Sequence, residues 1–158
     1  MTPAVTAAKR AGISFTLHRY DHDPSNKDFG REAVDKLKVS ANSVFKTLLV
    51  AINGNNHSLA VAVVPVGHSL DLKLMAKALG VKRVIMADKN AAQRSTGYLI
   101  GGISPLGQKQ TLPIVIDQSA EGLSEVYVSG GLRGLEIALT PVDLVQLTKG
   151  LLRPISTR

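Results

Sequence analysis

Two apolar runs dominate the pattern of hydrophobic and polar positions: Phe45–Ile52 (FKTLLVAI) and Ser58–Val66 (SLAVAVVPV). Both are apolar at odd and even positions alike, which predicts strands covered on both faces. The Asn53-Gly54-Asn55-Asn56 segment between them predicts a hairpin turn, because Asn and Gly tolerate the positive φ such turns require. Upstream, Ser14–Tyr20 alternates Phe15 and Leu17 with polar neighbours and reads as another strand. Ahead of it, Thr2 and Pro3 read as the N-cap and first residue of a helix stopped by Gly12. Asp21–Gly30 predicts a loop, followed by a short helix over Arg31–Leu37.

Beyond the hairpin, Leu72, Met75, Ala76 and Leu79 recur at helical spacing, predicting a helix capped by Ser69 and ending near Gly80. A further helix starts at Asp88 and ends before Gly97. Leu112–Asp117, Glu125–Ser129 and Leu135–Leu139 predict three more strands, and Thr140-Pro141 opens a last helix stopped by Gly150. The sum is a single mixed α/β domain over residues 1–158. Its sheet has about six or seven strands with helices around it, and it lacks the regular βαβ alternation of a doubly wound fold.

Composition narrows the setting. At 158 residues the chain has length for one domain with a real core. No apolar run approaches the roughly 18 residues of a membrane helix, so no membrane partner is expected. The start MTPAVTAAKRAG lacks the features of a signal peptide, and a cytoplasmic location is expected. The absence of cysteine excludes disulfides, thiolate metal sites and a cysteine nucleophile. Net charge is +7, from 19 Lys and Arg against 12 Asp and Glu, which points to an anionic partner, nucleic acid foremost. Lys73 and Lys77 lie one helical turn apart, with Lys82, Arg83, Lys89 and Arg94 following. They form either a solvated helix face or a track for phosphates.

Candidate chemistry gathers at two places. Ser95–Lys109 (STGYLIGGISPLGQK) is too rich in glycine for a helix interior and too interrupted for a central strand. Its backbone N–H groups are available donors for a carbonyl or phosphate oxygen. Lys46 stands at the head of the first apolar strand, on the side of Leu48, Val50 and Ile52. A cation there either meets an anion in a pocket or snorkels into water. His18 and His22 do not pair as metal ligands, because four extended residues span roughly 13 Å. His57 and His68 have no neighbouring ligand, so no metal is expected. Gly102-Ile103-Ser104-Pro105-Leu106 misses the G-x-S-x-G elbow, and neither a P-loop nor G-x-G-x-x-G occurs. Without an evident nucleophile, the residues point to a site that positions a substrate rather than attacking it.

Six blocks then carry a resemblance: Y-D-H-D-P at 20–24, F-K-T-L-L-V-A at 45–51, M-A-D at 86–88, A-A-Q-R-S-T-G-Y at 91–98, G-G-I-S-P-L-G-Q-K at 101–109 and Y-V-S-G-G at 127–131. In this order they closely resemble the YbaK/prolyl-tRNA synthetase editing-domain family. The resemblance implies a partly barrel-like sheet and an enzyme that deacylates Cys-tRNA(Pro), and Cys-tRNA(Cys) as well, without a cofactor. It implies catalysis through Lys46 and a substrate loop at Gly101, Gly102, Ile103, Ser104 and Pro105. It places Tyr20, Phe29 and Tyr98 in the pocket and Ser129 on its polar wall. Glu136 stands where close relatives have an aspartate, and Leu132 where they have a lysine, which weakens one tRNA contact. The implied chemistry is substrate-assisted: the cysteine thiol attacks its own ester. Two roles stay open for Lys46, holding the terminal phosphate or ribose end, or stabilising developing negative charge. The implied partners are the acceptor end of misacylated tRNA and, transiently, prolyl-tRNA synthetase. An Ala-tRNA(Pro) deacylase of the same family and a non-catalytic tRNA- or synthetase-binding module are the rival readings.

Overall fold

The computed structural model describes residues 1–157. Its centre is the hairpin of β2 (Phe45–Ile52) and β3 (Leu59–Pro65), paired antiparallel from Phe45↔Pro65 to Ala51↔Leu59. The connecting turn has Asn53 at φ 53° and Gly54 at φ 77°, with the Asn55 N–H donating to the Ile52 carbonyl at 3.0 Å. Two successive positive φ values match the twist of the flanking strands. β5 (Val84–Met86) adds to the outer side of β2. β6 (Ile114–Asp117) and β9 (Leu151–Arg153) extend the other side in parallel, giving the order β5-β2-β3-β6-β9.

Both faces of this sheet are covered, as the continuous apolar pattern predicts. Val50, Ala60, Ala62, Val64 and Val115 pack with Met75 and Ala76 of α3 (Leu72–Leu79). Phe45, Leu49, Val61 and Val63 pack on the opposite side with Val126, Val128 and Ile137. Those three belong to a second sheet, ordered β1 (Thr16–Arg19), β8 (Leu135–Leu139), β7 (Val126–Ser129). α1 (Pro3–Ala11) and α4 (Lys89–Thr96) close the same core through Ala4, Val5, Ala91 and Ala92, and α5 (Pro141–Thr148) through Leu144. α2 (Phe29–Leu37) covers the outside of the second sheet with Ala33 and Val34 against Tyr127 and Ala138.

The mixed α/β class stands, with corrections in detail. There are ten strands among the described residues rather than six or seven, in sheets of five, three and two. One isolated parallel bridge, Val44↔Tyr127, links the two larger sheets, and the system does not close into a barrel. Ser69 does not cap α3. It lies in the short β4 (Ser69–Leu70), which pairs with β10 (Ser156–Thr157). Asp71 caps α3 instead, accepting from the N–H groups of Lys73 and Leu74 at 3.0 Å each, because a carboxylate satisfies two orphan donors where a strand serine cannot. α5 ends one residue earlier than Gly150 predicts, with Lys149 itself at φ 54°. α2 begins at Phe29, because Asp28 accepts from the Arg31 N–H and supplies the cap.

Candidate active site

A cavity of about 460 Å³ is lined by residues of both larger sheets. Its floor is the first half of β2, including Lys46, Thr47 and Leu48. Phe29 and Gly30 at the start of α2 form one wall, Met86, Ala87 and Lys89 another, and Ile100, Gly101 and Ile103 a third. Ser129 and Glu136, cross-strand partners on β7 and β8, close the far side with Tyr20. Of the residues singled out from sequence, the fold therefore brings together Tyr20, Phe29, Lys46, Gly101, Ile103, Ser129 and Glu136.

The other four lie behind that lining. Tyr98 is in the core, where its hydroxyl donates to the Leu106 carbonyl at 2.6 Å. Ser104 is buried, its Oγ accepting from the Leu106 N–H at 3.2 Å, and Pro105 beside it is buried too. The Gly102 N–H donates to the Leu99 carbonyl at 2.9 Å, which makes residues 99–102 a tight turn with Gly101 at φ +88°. That φ at the third turn position requires glycine. These four shape the loop from within, while Gly101 and Ile103 present it to the cavity. Among the described residues, the N–H groups of Gly101 and Ile103 have no acceptor.

Charge in the cavity is unevenly paired. Lys46 is half-buried, and no carboxylate among the described residues forms an ion pair with it. Next to it, Thr47 Oγ1 is buried without a hydrogen-bond partner. Burial pushes the Glu136 carboxyl up to about 8, so it is mostly protonated at neutral pH. Burial, and then the Glu136 and Glu32 carboxyls nearby, push the Tyr20 hydroxyl up to about 12.

The raised Glu136 value sets a pH dependence of stability. Between its ordinary 4.5 and about 8, the unfolded chain has released the proton that the folded chain keeps. Stability contributed by this group therefore falls as pH rises through that window and levels off above it. Glu136→Gln carries no such proton. Its melting temperature relative to the parent chain is expected to climb from pH 5 to pH 8. A difference that stays constant in scanning fluorimetry would mean that Glu136 is ionised in the fold.

Sequence reasoning missed the brace behind Phe29. His22 Nδ1 lies 2.6 Å from Glu32 Oε1, and the Asp23 N–H donates to Glu32 Oε2 at 2.8 Å. Burial alone would raise the Glu32 carboxyl, but these bonds and Lys36 outweigh it and hold the group below its ordinary range. In the sequence His22 stands in the Y-D-H-D-P block and Glu32 inside the helix over Arg31–Leu37, with no local pattern that joins them. Their ten-residue separation hid the pair. Among the described residues no cluster of three His, Cys, Asp or Glu is placed to hold a metal ion.

Comparison with known proteins settles the family. The family model described as the aminoacyl-tRNA editing domain matches residues 24–147, most of the chain and nearly all of the cavity lining. The chain belongs to the aminoacyl-tRNA editing domain family. It is 36% identical over 140 residues to an Enterococcus faecalis protein provisionally named Cys-tRNA(Pro)/Cys-tRNA(Cys) deacylase EbsC, covering 88% of this chain and 84% of that one. The uncharacterized protein YwhH of Bacillus subtilis is 26% identical over 117 residues, covering 74% and 73%. Among solved structures, the hypothetical protein APE2540 superposes with a TM-score of 0.86 at 24% identity, covering 99% of this chain and 100% of that one. A provisionally described trans-editing enzyme for prolyl-tRNA synthetase gives 0.84 at 21% identity, covering 99% and 96%. These last two share the fold of this editing domain.

Proposed function

We propose that this aminoacyl-tRNA deacylase removes cysteine from mischarged tRNA(Pro), and from tRNA(Cys) as well, by letting the substrate's own thiol break the ester. The observation that carries the reading is the composition of the cavity. Lys46, without an ion-pair partner among the described residues, and Gly101 and Ile103, whose N–H groups have no acceptor among them, line a space without histidine or cysteine. Ser129 Oγ accepts from the Gly131 N–H at 3.1 Å, and its cross-strand neighbour Glu136, whose carboxyl burial keeps mostly protonated at neutral pH, makes no hydrogen bond to it. Such a site orients an ester and stabilises negative charge, and the nucleophile comes with the substrate. The provisional name of the 36% identical relative supports cysteine as the acyl group.

In the step proposed, the cysteine sulfur forms a bond to its own ester carbonyl carbon. Negative charge gathers on the carbonyl oxygen, within reach of Lys46 or the donors of the 101–103 backbone. The C–O bond to the ribose then breaks, the ribose oxygen takes up a proton, and a four-membered thiolactone leaves. Water later opens the thiolactone to cysteine. Deacylation rates on Cys-, Ala-, Ser- and Pro-tRNA(Pro), measured side by side, test the assignment. Preference for Ala-tRNA(Pro) would replace it with an alanine deacylase, and no cleavage of any substrate would leave a binding module.

The tRNA body and prolyl-tRNA synthetase are the partners this reading calls for, in the cytoplasm. No helix among the described residues is long and apolar enough to cross a membrane. A second groove of about 280 Å³ is lined by Lys73, Lys77, Lys82 and Arg83, and none of them forms an ion pair among the described residues. It adjoins the cavity along β5, since Val84 lines the groove and Met86 the cavity. Three residues of strand span roughly 7 Å, about one nucleotide step. Replacing Lys73 and Lys77 together by Gln is expected to flatten the slope of log affinity against log salt by about 1.5. Affinity measured for tRNA at several salt concentrations reads this directly, and an unchanged slope removes the groove from the tRNA path.

A further inference from the structure

One side chain outside the cavity holds the 99–102 turn in place. Arg133, in the connection between β7 and β8, donates to the Ile100 carbonyl from Nε at 2.8 Å and from Nη2 at 2.5 Å. Its guanidinium carbon also stands 4.8 Å from the centre of the Phe29 ring. That ring lies directly on Gly101, where an added Cβ would come within 2.8 Å of three ring atoms. Gly102 is fitted as closely to the next segment, since a Cβ there would meet the backbone of Leu132 and Arg133 at 3.1 Å. Three stretches far apart in sequence thus form one stack. Phe29, Ile100 and Gly101 of that stack line the cavity, while Arg133 does not and is exposed.

We propose that Arg133 is a positioning residue, whose fork on the Ile100 carbonyl and face on the Phe29 ring set the Gly101–Ile103 backbone against the substrate ester. The inference rests on the deacylase reading for its catalytic consequence but on geometry for the clamp itself. A planar guanidinium can give two parallel donors to one carbonyl while stacking on an aromatic ring; an ammonium can do neither together. An exposed arginine in a protein of net charge +7 would ordinarily be taken for a phosphate contact. Here two of its donors and one of its faces are already engaged within the fold.

Arg133→Ala and Arg133→Lys test this, with circular dichroism to show that each variant is folded. For Arg133→Ala, single-turnover kcat on Cys-tRNA(Pro) is expected to fall by about a hundredfold, the scale of an ångström-sized misplacement, with KM unchanged. Arg133→Lys is expected to recover little of it. Amide hydrogen exchange, read without substrate, is expected to quicken at Ile100 and Gly102, which are hydrogen-bonded to Gln93 and Leu99. A raised KM with kcat retained and full rescue by lysine would overturn the proposal in favour of a phosphate contact. Unchanged kcat or unchanged exchange would overturn it as well. Faster exchange in a chain whose parent cleaves no aminoacyl-tRNA would sustain the clamp and refute the deacylase reading.

Discussion

Lys46→Ala is expected to cut deacylation by on the order of a hundred- to a thousand-fold while leaving the fold intact. The magnitude is that of removing one well-placed electrostatic contact to a developing oxyanion. The fold should survive because Lys46 is half-buried at the second position of β2 and shares no ion pair among the described residues. Its strand is held by pairing with β3 and by Phe45, Leu49 and Val50 in the two cores. Single-turnover rates set beside circular dichroism spectra and melting curves check both halves. A folded variant with near-parental rates would remove Lys46 from the chemistry and leave the free backbone donors to account for it.

The second large effect concerns the substrate. Ser-tRNA(Pro) is expected to be cleaved more slowly than Cys-tRNA(Pro), by well over the roughly hundredfold that pocket shape alone achieves between near-isosteres. Serine and cysteine fill almost the same volume, so a cavity of about 460 Å³ cannot tell them apart by size. Ionisation separates them: a thiol with a pKa near 8.5 is a few per cent thiolate at neutral pH, and an unactivated hydroxyl is scarcely ionised. Trapping a cyclised cysteine product before it opens would identify the attacking atom. Equal rates for the two esters would assign the attack to water.

How legible the molecule is in its sequence differs from element to element. The β2–β3 hairpin is legible because its two runs are apolar at odd and even positions alike, apart from Lys46 and Thr47, and because Asn53-Gly54 marks its turn. Helix ends are legible where one cap decides them, as at Thr2, Asp88 and Gly97. β4, β5, β9 and β10 are only two or three residues long, and each exists by pairing with a distant strand, a fact with no local trace. At the cavity, the position of Lys46 on a buried strand and Gly101 in its loop, with Gly102 behind it, are readable from residue type. The Tyr98 hydroxyl shows where residue type runs out: an aromatic beside a glycine loop is as consistent with a pocket as with the core position it occupies. The His22–Glu32 brace and the reach of Arg133 to Ile100 depend on three-dimensional neighbours alone.

Lys46 rides on an inner strand of the five-stranded sheet, whereas part of the wall around it comes from connections, at Lys27 and Asp28, at Ala87, and at Ile100, Gly101 and Ile103. Divergence acts differently on the two. An insertion or substitution in a connection can enlarge, narrow or repolarise the chamber without shifting β2, whose register is fixed over seven residue pairs with β3. The enclosure can therefore be rebuilt in shape and polarity while Lys46 keeps its place on the sheet.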